Sequence, residues 1–509
     1  MLMKNKMKIC SGLLALLAVA PGYAAASSTI SSDTGTEILD YIEGQRKAAR
    51  ENALDPELAA LQQEALAQAA KKPAIAVDPK KPAPVTFEGD DISFDERTGE
   101  VLAKGHVKIT QVESRVLADE IKGNTKTDEV HIEDKAHMLQ VSQPRVVLDG
   151  YKTDYNYEKK TGTMKNAKGK VEQQFITGEK LEFYPERVVI YNGTATKCSA
   201  KSPDYHTSAE KIEIWPNDRM VMHNVKFWIK NKVIVTKKLY ETSLAAGAQN
   251  TVYPRIGYNN DDGISVRQKF EYPLAPKVAA YVDVNYYSQH GFKNVYGSTW
   301  NNGNNHFDLQ YGSFEDSDND WIKKEPTLKY TYGAKRLGDT PFSYTLGAEV
   351  GKWSDSKATS WHKKYYAGLK RDPINFSKSL RLYTDVQYSI TQESYNHSQV
   401  NSLSYNGVFV KDVNDRLAFF SGYHYTQNTK ANSLFNYDAE DYAKKWESGF
   451  SYRIDDRNRI VVGENYDMDS HSIKDVDYYW YHDIHCAQMI LRYREKRQTW
   501  QVRFEFTPW

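Results

Sequence analysis

From Thr86 to about Ile234, apolar and polar residues alternate with a period of two. Val101, Ala103, Val107 and Ile109 fall on one side of a strand, and Lys104, His106 and Lys108 on the other. Turn sequences recur about every 30 residues: Glu96-Arg97-Thr98-Gly99, Lys126-Thr127-Asp128, Lys159-Lys160-Thr161-Gly162, Tyr184-Pro185-Glu186-Arg187 and Trp215-Pro216-Asn217-Asp218. Related runs precede them at Gly89-Asp90-Asp91-Ile92, Ala118-Asp119-Glu120-Ile121, Gly178-Glu179-Lys180-Leu181 and Ala209-Glu210-Lys211-Ile212. A single hairpin unit cannot bury its apolar face alone, so stacked copies predict a rolled or sandwich-like sheet with a continuous apolar inside. The candidates for that inside are Ile92, Phe94, Val107, Ile109, Val130, Ile132, Leu181, Phe183, Ile212 and Ile214. A plain sandwich core and a trough that holds lipid give the same periodicity.

From about Gly247 to Trp509 the alternation continues with a different composition. Phe307, Leu309 and Tyr311 alternate with His306, Asp308 and Gln310. Leu380, Leu382, Val386, Tyr388 and Ile390 alternate with Arg381, Asp385, Gln387 and Ser389, and Trp500, Val502, Phe504 and Phe506 with Gln501, Arg503 and Glu505. Tyr and Trp gather near strand ends (Tyr286, Tyr287, Trp300, Tyr365, Tyr366, Trp480), and the breaks are polar, as at Asn301–Asn305 and Asp316–Asp320. These are the marks of an antiparallel transmembrane β-barrel with a lipid-facing side, a polar lumen and aromatic girdles. The stretch has room for about 14–16 strands. It ends in a strand with terminal aromatics, Phe504, Phe506 and Trp509, which reads as a barrel-assembly signal.

The N-terminus sets the compartment. Lys4, Lys6 and Lys8 precede an apolar run from Ile9 to Ala20, and Ala24-Ala25-Ala26 forms a small-residue cleavage site, so residues 1–26 read as a signal peptide. Residues 27–85 read as a helical arm, with a helix start at Asp55-Pro56-Glu57, and a Pro/Lys/Ala linker from Lys72 to Pro84; no chemistry is assigned to them. The expected division is therefore 1–26, 27–85, a β-domain over 86–246 and a barrel over 247–509: an all-β protein of the cell outer membrane, its N-terminal domain in the periplasm. With 67 Lys+Arg against 66 Asp+Glu in 509 residues, nothing draws the chain to nucleic acid.

Enzyme signatures are scarce: there is no G-x-S-x-G elbow, phosphate loop or H-E-x-x-H, and no cofactor is expected. His482, His485 and Cys486 form a metal-like cluster, but residues three apart on a strand point to opposite faces, so no metal is expected there. Once Cys10 is removed with the signal peptide, Cys198 and Cys486 remain. They can form one intrachain bridge, worth about 5 kcal/mol at most by loop closure, or stay separate, or bridge two chains. Pro254, Pro273 and Pro276 fall in or beside the first barrel strands, where a missing ladder donor weakens pairing. They read either as a lateral gate between first and last strands or as turn markers.

Several runs resemble a known family. Phe87-Glu88-Gly89-Asp90-Asp91-Ile92-Ser93-Phe94-Asp95 with Thr98-Gly99-Glu100-Val101-Leu102-Ala103-Lys104-Gly105-His106-Val107 resembles the start of an OstA/LptA-type β-jellyroll. Ala195-Thr196-Lys197-Cys198, Tyr205-His206-Thr207-Ser208-Ala209 and His223-Asn224-Val225-Lys226-Phe227 resemble the LptD family of lipopolysaccharide-assembly outer-membrane proteins, as do His482-Asp483-Ile484-His485-Cys486-Ala487 and Leu491-Arg492-Tyr493-Arg494. The resemblance implies a non-enzymatic translocon that takes lipopolysaccharide from a periplasmic LptA-like bridge protein. Acyl chains would pass through the jellyroll and the lipid would leave through the seam of the barrel. It also implies a Cys198–Cys486 disulfide, assembly by the barrel-assembly machinery and a plug lipoprotein of the LptE kind. A diffusion porin with a periplasmic β-domain and a barrel-type lipid-modifying enzyme are the alternative readings.

Overall fold

The structure, a computed structural model, describes residues 35–51 and 85–506, apart from 112–113, 141–144, 172–173, 199–201, 217, 245–253, 276 and 485. The expected signal peptide, the Asp55-Pro56-Glu57 helix start, the Pro-rich linker, Pro276 and Trp509 lie outside the described residues. The described residues are all-β but for one helix, Gly35–Glu51. The chain forms two compact units: one spans Lys47–Ala248, and the other joins Ala24–Arg46 to Gln249–Thr507.

In the first unit, thirteen antiparallel strands form a single sheet. Its inner faces share one apolar core running from Ala103 to Phe227. Five strands carry a residue in the left-handed region, at His106, Lys152, Asn166, Asn192 and Asn224. At two of them the ladder skips, between Lys104 and Val107 and between Tyr151 and Asp154. Such bulges bend and twist a strand, which is what curling one sheet around its own apolar face requires, and Asn tolerates the left-handed backbone better than most residues.

In the second unit, the strands from Arg255–Asn259 to Thr499–Phe506 close into a barrel. Gly291–Phe292 and Val295–Asn302 both pair with Val278–Tyr287 as halves of one strand, which makes sixteen. Alternation sorts the residues as the sequence predicts. Phe307, Leu309 and Tyr311 stand exposed on the outside, while Asp308 and Gln310 are buried in the lumen. Ile264, Val266, Phe270, Tyr272 and Leu274 likewise share an outer face, with Ser265 turned inward. A closed barrel with an apolar outer wall satisfies every ladder group internally while presenting hydrocarbon outward, the condition for standing in a bilayer. No described helix is long and apolar enough to cross a membrane.

Candidate functional sites in the sheet interior, the barrel seam and the lumen

Eight of the ten residues expected to line the sheet interior share its core. Val107, Ile109, Val130, Ile132, Leu181, Phe183, Ile212 and Ile214 are all at most 6% exposed. Ile92 and Phe94 require a correction, being 43% and 57% exposed. Among the described residues their strand, Asp91–Asp95, pairs only with Glu100–Gln111 and so lies at an edge. Ile92 stands opposite Ala103 and Phe94 opposite Val101, both buried, so these side chains keep the apolar face but are left uncovered among the described residues. Phe94 instead lines a cavity of about 970 Å3 at one end of the sheet, with Val101, Leu102, Val130 and Tyr155 among its walls. The sheet thus has an open, partly apolar mouth leading to a packed interior.

The barrel closes on a short seam. Among the described residues, the first strand, Arg255–Asn259, meets the last from Ile256 opposite Phe504 to Asn259 opposite Gln501, four residue pairs. Phe342–Ser354 and Thr359–Asn375 share thirteen. Pro254 sits immediately before the first strand and, having no N–H, cannot extend that ladder as a donor. The second strand, Gly263–Ala275, continues past Arg267 with no first-strand partner among the described residues. Pro273 lies away from the seam, in this second strand, next to a register shift against Val278–Tyr287. It loosens the neighbouring hairpin rather than the closure. Phe504 takes part in the seam, and Phe506 pairs with Ala487 inside the last hairpin. Cys198 and Cys486 are both buried and both disulfide-bonded, so neither is a free thiol.

The sequence did not reveal what occupies the lumen. The helix Gly35–Glu51 seats Ile38, Leu39 and Ile42 on an apolar patch of the inner wall formed by Val408, Val410, Ala418 and Phe420. Val408 and Val410 share the inward face with buried Ser402 and Asn406, whereas Phe409 stands exposed on the outside. The backbone N–H of Gly35 donates to Glu447 at 3.1 Å, placing a carboxylate at the positive end of the helix. A Cβ on Gly35 would fall 1.9 Å from the Phe420 ring, so this close approach requires glycine. Asp40 pairs with Arg459 and accepts a hydrogen bond from the Tyr481 hydroxyl at 2.7 Å. Glu43 pairs with Arg453 at 3.6 Å, and Arg46 with Asp412 at 2.9 Å. Each buried aliphatic side chain contributes about 1.5–3 kcal/mol, and the ion pairs fix the helix in rotation and depth.

At the other end of the barrel the 427–443 loop turns inward. Phe435 packs on Trp353 and Ile322. Lys430 is held by Asp320 at 2.8 Å and Asp441 at 3.0 Å, and Arg497 by Asp318 at 3.0 Å and Asp441 at 2.8 Å. One signal for the helix seat was present in the sequence. Val408-Phe409-Val410 and Leu417-Ala418-Phe419-Phe420 are continuous apolar runs where a barrel with a polar lumen should alternate, and a strand apolar on both sides is buried on both sides.

The chain is similar to LptD. An LPS-assembly protein LptD of Acinetobacter baumannii is 25% identical over 202 residues, 38% of this chain and 24% of that protein. The LptD of Acinetobacter baylyi is 23% identical over 197 residues, 36% of this chain and 24% of its own. The match therefore spans about a quarter of the length of these relatives. No family model matches the sequence. Among solved structures, the Pseudomonas aeruginosa protein OccK11 (OpdR) aligns at 9% identity and a TM-score of 0.30, over 49% of this chain and 92% of its own. The outer membrane channel DcaP of Acinetobacter baumannii aligns at 11% identity and a TM-score of 0.21, over 63% of this chain and 84% of its own.

Proposed function

We propose that this protein is an outer-membrane translocon for lipopolysaccharide. In this reading the Lys47–Ala248 unit is a periplasmic β-jellyroll that accepts the lipid at its mouth from an LptA-like bridge protein. Its apolar interior takes the acyl chains, and the barrel passes the lipid sideways into the outer leaflet through its seam. No covalent chemistry is needed, and a disulfide between Cys198 and Cys486 would tie the jellyroll to the turn before Ala487.

The observation that carries the reading is that the barrel closes beside Pro254 with four pairs among the described residues. Cross-strand pairs contribute roughly 0.2–1 kcal/mol each, so this is the closure that costs least to part, and it lies between hydrocarbon outside and lumen inside. A diffusion pore gains nothing from a weak seam, and here a helix and a loop stand against the inner wall and narrow the lumen. Similarity to two LptD proteins adds support over about a third of the chain.

The test is photocrosslinking of lipopolysaccharide in living cells, with probes at Phe94, Phe183 and Ile214 in the sheet and at Ile256 by the seam. Lipid adducts at sheet and seam are expected. If folded, membrane-inserted protein gives none at any of the four, the reading is abandoned in favour of a porin and conductance is measured instead.

A further inference from the structure

We infer that Arg453 and Arg459 form an anion-binding pair in the barrel lumen, which the N-terminal helix fills with its own carboxylates when no anionic cargo is present. Arg453 and Arg459 stand directly opposite each other on the strands Lys444–Arg453 and Asn458–Asp467. Arg459 is buried, and its guanidinium lies 3.9 Å from the centre of the Tyr481 ring, the next residue across the ladder. Like charges directly opposed on one face of a sheet destabilise it unless an anion lies between them. Among the described residues, the carboxylate paired with each arginine comes from the helix: Asp40 for Arg459 and Glu43 for Arg453. The neighbouring wall cation Arg381 differs in being paired within the wall, to Asp412.

The helix presents Asp40 and Glu43 three residues apart, on one face and one turn. Two guanidinium forks on adjacent strands suit a tetrahedral oxyanion, since each can donate two parallel hydrogen bonds. The ligand class is therefore a phosphate group, and the helix acts as its competitor. Anion binding and helix seating exclude each other at this site, so arrival of the charged head group displaces the helix and clears the lumen. This rests on the translocon reading for the source of the phosphate, but the site itself can be probed without lipid.

The experiment uses purified full-length protein with Leu39→Cys, a side chain buried against the lumen wall. The readout is its rate of labelling by a polar maleimide. Inorganic phosphate at millimolar concentration is expected to raise that rate at least fivefold over sodium chloride of equal ionic strength. Asp40→Asn with Glu43→Gln should label fast in either salt. In a second measurement, Gly35→Trp, which unseats the helix sterically, should bind phosphate in a direct titration, and adding Arg453→Gln and Arg459→Gln should abolish that binding. Retention of the compact, heat-modifiable barrel on gels confirms folding of each variant. Equal acceleration by phosphate and chloride, no acceleration, or phosphate binding that survives loss of both arginines would overturn the inference. Phosphate binding without lipid adducts in cells would instead retain the anion site and remove the translocon reading.

Discussion

Inside the barrel wall, Lys324 Nζ lies 2.7 Å from Glu349 Oε1, with both residues buried. The ammonium also sits 4.4 Å from the centre of the Trp353 ring, which stacks on His362 at 3.7 Å, and His362 in turn meets Glu393 at 2.6 Å. Removing one member of a buried ion pair leaves the other charged and unsolvated, at about 3–5 kcal/mol. Lys324→Met is therefore expected to lower the temperature at which the barrel loses its compact form on gels, and Lys324→Met with Glu349→Gln should recover part of that loss. An unchanged single variant would mean that water reaches the pair. A cavity argument applies in the sheet, where Ile212 is fully buried. Ile212→Ala should cost about 2–5 kcal/mol, measured by urea unfolding of that unit.

Among the elements, the 427–443 loop has a hold that depends on pH. Asp318 is buried, which alone would raise its carboxyl, but Arg497, Arg494 and Lys430 outweigh burial and hold it below the ordinary value. Burial alone would lower Lys430, yet Asp320 and Asp441 raise it. The stabilisation from Asp318 is complete above the ordinary carboxylate value of 3.8 and is lost as pH falls through the depressed one. That from Lys430 is complete below 10.5 and is lost as pH rises through the raised value. Asp316 acts in the opposite sense: burial pushes its carboxyl up to about 6, so a contribution present at low pH is lost as pH rises through that value. The loop should be held most tightly near pH 4, loosen as pH rises to about 6, hold steady from there to about 10, and loosen again below the first value and above the last. Protease nicking within residues 431–442 measures this, and Lys430→Ala should be nicked readily at pH 7. The seam has its own test. Tyr258 and Val502 are directly opposed, and Tyr258→Cys with Val502→Cys, oxidised to a bridge, should stop lipid delivery if the seam must part. Normal delivery through a bridged seam would refute lateral exit.

The whole chain divides into two units with separate cores, a folded sheet and a barrel. Urea should therefore unfold it in two steps, with the barrel, closed on itself, as the more resistant; a single transition seen by both tryptophan fluorescence and circular dichroism would contradict this. The barrel was legible in the sequence because period-two alternation states which face is wet. Leu309 exposed and Asp308 buried is the pattern reversed from a soluble strand, and only a lipid-facing wall makes sense of it. The exposure of Ile92 and Phe94 was not legible, since alternation assigns a face and says nothing about whether another strand covers it. Nor was the seat of the helix in the lumen: no chemistry attaches to residues 27–85 in the sequence, and the fold is what brings Arg459 and Arg453 to Asp40 and Glu43. That distance along the chain bears on biogenesis. Gly35 meets Glu447 across 412 positions of sequence, so the seat exists only after strands near the C-terminus have been laid down. A helix made early must then wait for a wall made late, and during that interval Val408, Val410 and Phe420 offer an uncovered greasy patch inside a nascent barrel. Insertion of the helix thereby becomes a late checkpoint of assembly, and a chain whose helix cannot seat should accumulate as a closed but sticky barrel prone to capture by quality-control proteases.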